Sequence, residues 1–69
     1  MNIKKNMAEN IRDDIYRRNM TQRAYATMAG IPYNTLLYII SGGSISLNTL
    51  MKLAKGTGLS PLNILGERN

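Results

Sequence analysis

The 69-residue sequence contains no cysteine and no histidine. Disulfide bonds are therefore excluded, and the usual sets of zinc ligands are missing as well. A nucleophilic cysteine and a histidine base are absent, only four Asp and Glu residues occur, and there is no glycine-rich phosphate loop. We therefore expect no catalytic site, no metal site and no cofactor.

Long hydrophobic runs are missing too. No apolar segment approaches the roughly 20 residues that a helix needs to span a bilayer. Lys4 and Lys5 lie near the N-terminus, but the apolar core of a signal peptide does not follow them. We therefore expect no membrane association and a cytoplasmic location, with which a cysteine-free chain is compatible.

The length of the chain limits the number of domains, and its charge indicates the class of binding partner. The 69 residues are enough for one domain, spanning 1–69, with a small core whose stability should be modest unless the chain oligomerises. The formal net charge is +5 and the isoelectric point is near 10.0. Such a basic balance favours a polyanion as the binding partner.

The first predicted helix rests on the spacing of three apolar residues. Met7, Ile11 and Ile15 recur every four positions, which places them on one face of a helix over residues 6–18. Residues 1–5, with their two lysines, are expected to form an N-terminal arm before this helix.

Two shorter helices follow, each marked by its end residues. Thr21 is a good N-cap for a helix over 22–29, and Gly30 can end it in the left-handed conformation. Pro32 suits the first turn of a third helix over 32–40. The residues expected to face the interior are Tyr25, Ala26, Ala29, Leu36, Ile39 and Ile40.

Serine residues mark the start of the last two predicted helices. Ser46 is an N-cap for a fourth helix that ends within 56–58. Ser60 precedes a proline and caps a short fifth helix over 61–65. The fourth helix is expected to bury Leu47, Leu50, Leu53 and Ala54. Apolar and polar residues nowhere alternate persistently, so we predict an all-α fold without a sheet.

The segment 21–42 meets the requirements of a helix-turn-helix unit. Two short helices cross closely around Gly30, and Ala26 supplies the small residue that a close crossing needs. Apolar contacts across the crossing can come from Tyr25, Ile31, Leu36 and Ile39.

Nearly the whole chain resembles the bacteriophage repressor and Cro family of DNA-binding domains. The matching residues of the turn and crossing are Gln22, Ala26, Gly30, Ile31, Thr35, Leu36, Ile39 and Gly42. Those of the last two helices are Ser46, Leu47, Thr49, Leu50, Leu53, Ala54, Gly58, Leu59 and Ser60. The resemblance implies a compact, lambda-repressor-like bundle of about five short helices with a central helix-turn-helix.

The sequence departs from this family at several positions. Many members pair an arginine in the first helix with a glutamate late in the third, where this chain has Ile15 and Ile40. An apolar pair avoids the desolvation cost of a buried ion pair, so the fold should survive the change. Asp14, Tyr25 and Thr57 stand where leucine is frequent.

The third helix carries the residues expected to read DNA bases. A helix fits the major groove and its N-terminal side chains reach base edges, which makes Tyr33, Asn34, Thr35 and Tyr38 the candidates. Asn34 can form two hydrogen bonds with adenine. The competing interpretation makes the tyrosines ordinary surface residues and Asn34 a polar residue that suits a helix start.

Other polar residues are expected to contact DNA phosphates. The candidates beside the second helix and in the loop after the third are Thr21, Gln22, Arg23, Ser41, Gly43 and Ser44. Gln22 can also be read as a solvated helix residue. Arg12, Arg17 and Arg18 are interpreted as a solvated face of the first helix.

The predicted function is that of a sequence-specific regulator of transcription, a repressor that binds an operator in double-stranded DNA as a homodimer. Leu62, Ile64 and Leu65 are the candidate dimer surface, with burial in the monomer core left open. The alternative is a protein-interaction module of the same fold, of the antitoxin or anti-repressor type, that docks through Leu37, Tyr33 and Tyr38.

Overall fold

The computed structural model describes residues 2–67, which form five α-helices and no strand. In chain order these are α1 Ile3–Arg17, α2 Gln22–Ala29, α3 Tyr33–Ile40, α4 Leu47–Thr57 and α5 Pro61–Leu65. The predicted all-α bundle is therefore confirmed. None of these helices combines the length and apolar character needed to cross a membrane.

The first helix begins earlier than the sequence predicts, at Ile3. The Asn2 side chain accepts a hydrogen bond from the Lys5 amide at 3.0 Å and caps the helix. Lys4 and Lys5 therefore lie in the first turn of α1, and the predicted N-terminal arm over residues 1–5 is wrong for its described part, which is helical from Ile3. Met1 lies outside the described residues.

The other helix starts follow the expected capping chemistry. Each N-cap side chain accepts a hydrogen bond from the amide three residues later, as the sequence predicts for Thr21, Ser46 and Ser60. Gly30 ends α2 with φ 72°, the left-handed conformation that favours glycine. Only α3 is shifted, because Pro32 is extended at ψ 146° and serves as the N-cap instead of the first helical residue.

All five helices contribute to one apolar core. The predicted inner faces of the first three helices are confirmed, and Ile11, Leu36 and Ile39 are fully buried. Ile15 and Ile40 are both buried in the same cluster. The positions that resemble the family's ion pair are therefore occupied here by apolar side chains that need no polar partner.

One prediction about the later helices is wrong, and one alternative that the sequence left open is resolved. Leu47, the first residue of α4, is 74% exposed, whereas Leu53 is fully buried and Leu50 is half-buried. Ile64 is fully buried, so it belongs to the monomer core and not to a dimer surface. Of the predicted dimer residues on α5, only Leu62 remains largely exposed.

Hydrogen bonds attach the short fifth helix to the first. The side-chain amide of Asn10 donates to the carbonyls of Ile64 and Gly66, each at 2.9 Å. Asn6 donates to the Leu65 carbonyl at 3.3 Å. These bonds satisfy carbonyl groups at the end of α5, which would otherwise lack partners within so short a helix.

Three of the departures from the family pattern, Asp14, Tyr25 and Thr57, meet in one polar cluster with Arg18. The Tyr25 hydroxyl donates to Asp14 Oδ2 at 2.8 Å, and Arg18 Nε donates to the same oxygen at 2.7 Å. Arg18 Nη2 also donates to the Thr57 carbonyl at 2.5 Å. Arg18 is exposed, as expected for a solvated face, and through these bonds it also connects the end of α1 to the end of α4.

Gly56 allows α4 to approach the end of α2 closely. A Cβ atom at this position would lie 2.5 Å from the Met28 carbonyl oxygen and 2.6 Å from the Ala29 Cα. Both are backbone atoms, so a side chain could be accommodated only by moving one helix. This close contact packs α4 against α2, which is the first helix of the helix-turn-helix.

Candidate nucleic-acid interface

The helix-turn-helix is built from α2, the turn at Gly30 and α3. Two hydrogen bonds close the turn, from the Gly30 amide to the Thr27 carbonyl and from the Ile31 amide to the Ala26 carbonyl, each at 3.1 Å. Because Leu36 and Ile39 anchor one side of α3 in the core, the opposite side faces outward.

The outward side of α3 carries the candidates for base contact. Tyr33, Asn34 and Thr35 form its first turn, and Tyr38 follows Asn34 by four residues on the same face. Asn34 is exposed, and Tyr38 is 57% exposed. Tyr33 and Thr35 are half-buried. Asn34 and Tyr38 therefore form the exposed part of this candidate surface, and Tyr33 and Thr35 lie half-buried at its edges.

Tyr33 is held by contacts on two sides. Its side chain packs against the apolar core, and the Arg23 guanidinium lies 4.1 Å from the centre of its ring. This distance is typical of a cation–π interaction. The contact orders the Arg23 side chain beside the first turn of α3, so a candidate for phosphate contact and a candidate for base contact form one unit.

The candidates for phosphate contact divide into two groups. Thr21, Gln22 and Arg23 lie together at the start of α2 and are exposed. Thr21 Oγ1 accepts a hydrogen bond from the Ala24 amide at 3.1 Å. The hydroxyl hydrogen is not used in that bond, so Thr21 can cap the helix and still donate to a phosphate oxygen.

The second group, in the loop after α3, is partly occupied by internal bonds. The Ser41 hydroxyl and the Gly43 amide both donate to the Tyr38 carbonyl, each at 2.8 Å. These hydrogens already have an acceptor within the protein. Ser44 in the same loop is exposed.

Gly43 also determines where the Tyr38 ring can lie. A Cβ atom on Gly43 would overlap three carbons of that ring. The absence of a side chain at Gly43 therefore allows Tyr38 to lie against the loop. This role of Gly43 is steric and was not expected from the sequence.

Arg12, which the sequence predicts to lie on a solvated face of α1, is a further interface candidate. It lines a surface concavity of about 700 Å³ together with Gln22, Arg23 and Tyr33. It also lines a groove of about 350 Å³ with Ser41. The helical spacing indicates the position of Arg12, because Arg12 precedes Ile15 by three residues. It therefore lies on nearly the same side of α1 as that buried residue.

Comparison with known proteins identifies the family. No curated protein sequence and no solved structure gives a significant match. A family model described as helix-turn-helix matches residues 10–64, which include all of α2, α3 and α4 and the turn between the first two of these. The chain therefore belongs to the Cro/repressor-type helix-turn-helix family of DNA-binding regulators.

Proposed function

We propose that this protein is a sequence-specific transcriptional regulator, a repressor, that binds operator DNA in the cytoplasm. The observation that carries the proposal is the composition of the outward side of α3. Its first turn presents Tyr33, Asn34 and Thr35, and Tyr38 follows one turn later. All four side chains can donate or accept hydrogen bonds, whereas the opposite side of the helix is anchored in the core.

In the proposed complex, α3 lies in the major groove with its N-terminal end toward the bases. Asn34 is exposed and can pair with the two major-groove groups of adenine. Tyr38 can donate to a base acceptor or contact a thymine methyl group. These contacts provide sequence preference, because the major-groove edge of each base pair carries a distinct pattern of donors and acceptors.

Phosphate contacts position the helix in the groove. Thr21, Gln22 and Arg23 are the proposed ligands at the start of α2, and Ser44 is the proposed ligand in the loop after α3. Ser41 and Gly43 would contribute only if their bonds to the Tyr38 carbonyl were exchanged for bonds to phosphate. Such contacts contribute to affinity on every sequence and make binding sensitive to salt.

We further propose that the protein binds as a homodimer to a pseudo-palindromic site, with half-sites about one helical turn apart. Exposed apolar side chains support this proposal, because Leu47, Leu62 and Met51 are 74%, 79% and 57% exposed. The stoichiometry of the complex tests it directly. Titration of a duplex that holds one palindrome should saturate at two chains, and saturation at one chain would contradict the dimer.

The alternative, a protein-interaction module that docks through the exposed side of α3, has less support. Leu37 and Tyr33 are half-buried and pack against the core, which leaves Tyr38 as the only large exposed residue of the three. One exposed tyrosine does not make the extended apolar patch that a protein partner would require.

Selection from random duplex DNA tests the proposal. The enriched duplex and a scrambled duplex are then titrated by fluorescence anisotropy at two salt concentrations. We expect a palindromic motif that binds at least about 1,000-fold more tightly than the scrambled duplex. Lack of enrichment, with only weak and salt-sensitive binding, would contradict sequence-specific recognition.

The direction of regulation needs a separate measurement. The selected site is placed across a promoter, and transcription is measured in vitro with and without the protein. A repressor should reduce transcription, because it occupies DNA that the polymerase needs. An increase would identify an activator and leave the DNA-binding proposal intact.

A further inference from the structure

A concavity between α1 and the start of α2 combines two arginines with two tyrosines. Its walls include Arg12 and Tyr16 from α1, Arg23 from α2 and Tyr33 from α3. The concavity measures about 700 Å³ and is open to solvent, so an extended polymer can enter it without a gate. Only one side of this concavity belongs to the helix-turn-helix, because the other side is formed by α1.

The charge of this concavity is of one sign. Neither Asp nor Glu is among its lining residues, which are Arg12, Ile15, Tyr16, Met20, Thr21, Gln22, Arg23 and Tyr33. Two ion pairs on α1 involve the later arginines, with Arg17 on Asp13 at 2.9 Å and Arg18 on Asp14 at 2.7 Å, and none of these four residues lines the concavity. Two guanidinium groups without a lining carboxylate favour an anionic ligand.

One of the two arginines is already ordered. The Arg23 guanidinium lies over the Tyr33 ring at 4.1 Å from its centre. A side chain that is held in place loses less rotational freedom when it binds, which favours the bound state. Guanidinium groups also suit phosphate, because their planar donors can bond two oxygens at once.

The position of Arg12 connects the two proposed groups of phosphate ligands. Arg12 lines this concavity beside Gln22 and Arg23, and it also lines the groove that contains Ser41 and Lys5. A DNA strand that contacts the start of α2 would therefore run past α1 on its way to the loop after α3. Glu9 also lines that second groove, but not the concavity.

We infer that this concavity binds a phosphodiester of the DNA backbone, with Arg12 of α1 and Arg23 of α2 as its ligands. The inference rests on the proposed function and extends the DNA interface to α1. Arg12 contributes no base contact, so it strengthens binding to every sequence alike. Arg23 reaches the phosphate from its position on the Tyr33 ring.

The test compares arginines from the same helix. Arg12→Ala and Arg17→Ala each remove one positive charge from α1, but only Arg12 lines the concavity. We expect Arg12→Ala to weaken binding several-fold on both the selected and the scrambled duplex. The slope of log affinity against log salt concentration should fall by about 0.9, the value for one lost phosphate contact. Arg17→Ala should leave that slope unchanged, and Arg12→Lys should restore most of it.

The outcomes separate this inference from the proposed function. If the wild type binds its selected duplex and Arg12→Ala behaves like Arg17→Ala, the phosphate site is wrong and the proposed function stands. A wild type that binds no duplex would overturn both. Circular dichroism and thermal melting of each variant confirm that the fold is retained, as expected for exposed side chains.

A last titration distinguishes DNA from a free anion. Inorganic phosphate is added to the protein alone and followed by NMR of the arginine side chains. We expect no saturable binding, because one small ion meets only part of the concavity. Saturable binding that depends on Arg12, with DNA affinity unaffected by Arg12→Ala, would reassign the site to a small anion and overturn the inference.

Discussion

The Tyr25 hydroxyl donates a hydrogen bond to Asp14 Oδ2 at 2.8 Å, which joins α2 to α1 through a buried polar pair. Leucine is frequent at both positions in the family that the sequence resembles. A carboxylate in a core needs a partner, and so does a phenol, so each of these two residues satisfies the other. Arg18 completes the cluster by bonding both Asp14 and the Thr57 carbonyl.

Tyr25→Phe should lower the free energy of unfolding by about 1–3 kcal/mol. The substitution keeps the ring in the core but removes one of the donors to the buried Asp14 carboxylate. Urea denaturation followed by circular dichroism measures the change. Tyr16→Phe is the matched control, because Tyr16 is 84% exposed and should show almost no effect. Equal stability of Tyr25→Phe and the wild type would contradict the importance of this bond.

Stability should fall at alkaline pH for a reason specific to Tyr25. Burial, and then the neighbouring Asp14 carboxylate, raise the pKa of the Tyr25 hydroxyl above its ordinary value of 10.0. The unfolded chain therefore releases this proton first, and the folded state loses stability as the pH rises above about 10. The loss should approach 1.4 kcal/mol per pH unit in that range.

Denaturation profiles from pH 8 to pH 11 check this expectation. Tyr25→Phe serves as the comparison, because it retains every lysine and the other tyrosines that also titrate in this range. The difference in the free energy of unfolding between the wild type and Tyr25→Phe should narrow as the pH rises. A difference that stayed constant would show that Tyr25 does not resist ionisation in the folded state.

Gly56→Ala should destabilise the fold by about 1–3 kcal/mol, although alanine favours helices more than glycine does. The added Cβ would lie within 2.6 Å of backbone atoms of Met28 and Ala29, so α2 and α4 would have to separate. Thermal unfolding measures the effect. The neighbouring exposed residue Lys55 provides the control, since Lys55→Ala adds no such contact. A more stable Gly56→Ala protein would disprove the close approach.

Gly43→Ala should change DNA preference without unfolding the protein. The new methyl group would overlap the Tyr38 ring, which can rotate away because it is an exposed side chain. We expect the variant to show the altered base preference of Tyr38→Ala, while its circular dichroism spectrum remains that of the wild type. If Tyr38→Ala changed the base preference and Gly43→Ala did not, the position of the Tyr38 ring would be irrelevant to recognition.

Asn34→Ala and Gln22→Ala should affect DNA binding in different ways. Loss of Asn34 should weaken binding to the selected site by about 1–3 kcal/mol and relax preference at one base pair. Loss of Gln22 should weaken binding to all sequences by similar factors. Binding to a panel of single-base variants of the selected site distinguishes the two patterns. The assigned roles would be wrong if the patterns were exchanged.

The secondary structure could be predicted almost completely, because its determinants are local. Thr21, Ser46 and Ser60 each cap a helix through an amide three residues away, and Gly30 ends a helix by its own backbone conformation. The first helix begins earlier than its apolar spacing predicts, because Asn2 caps it ahead of that pattern. The base-contact candidates lie together on α3 for the same reason, since they are neighbours within two helical turns.

The sequence by itself thus determined the helices, their order and the face of α3 that is turned outward. Only the tertiary structure decided which distant side chains meet. It buried Ile64, exposed Leu47, placed Arg12 in the same concavity as Arg23 and joined Asp14 to Tyr25. Capping and helical periodicity act over three or four residues, whereas these contacts depend on how whole helices pack, and no local pattern encodes that packing.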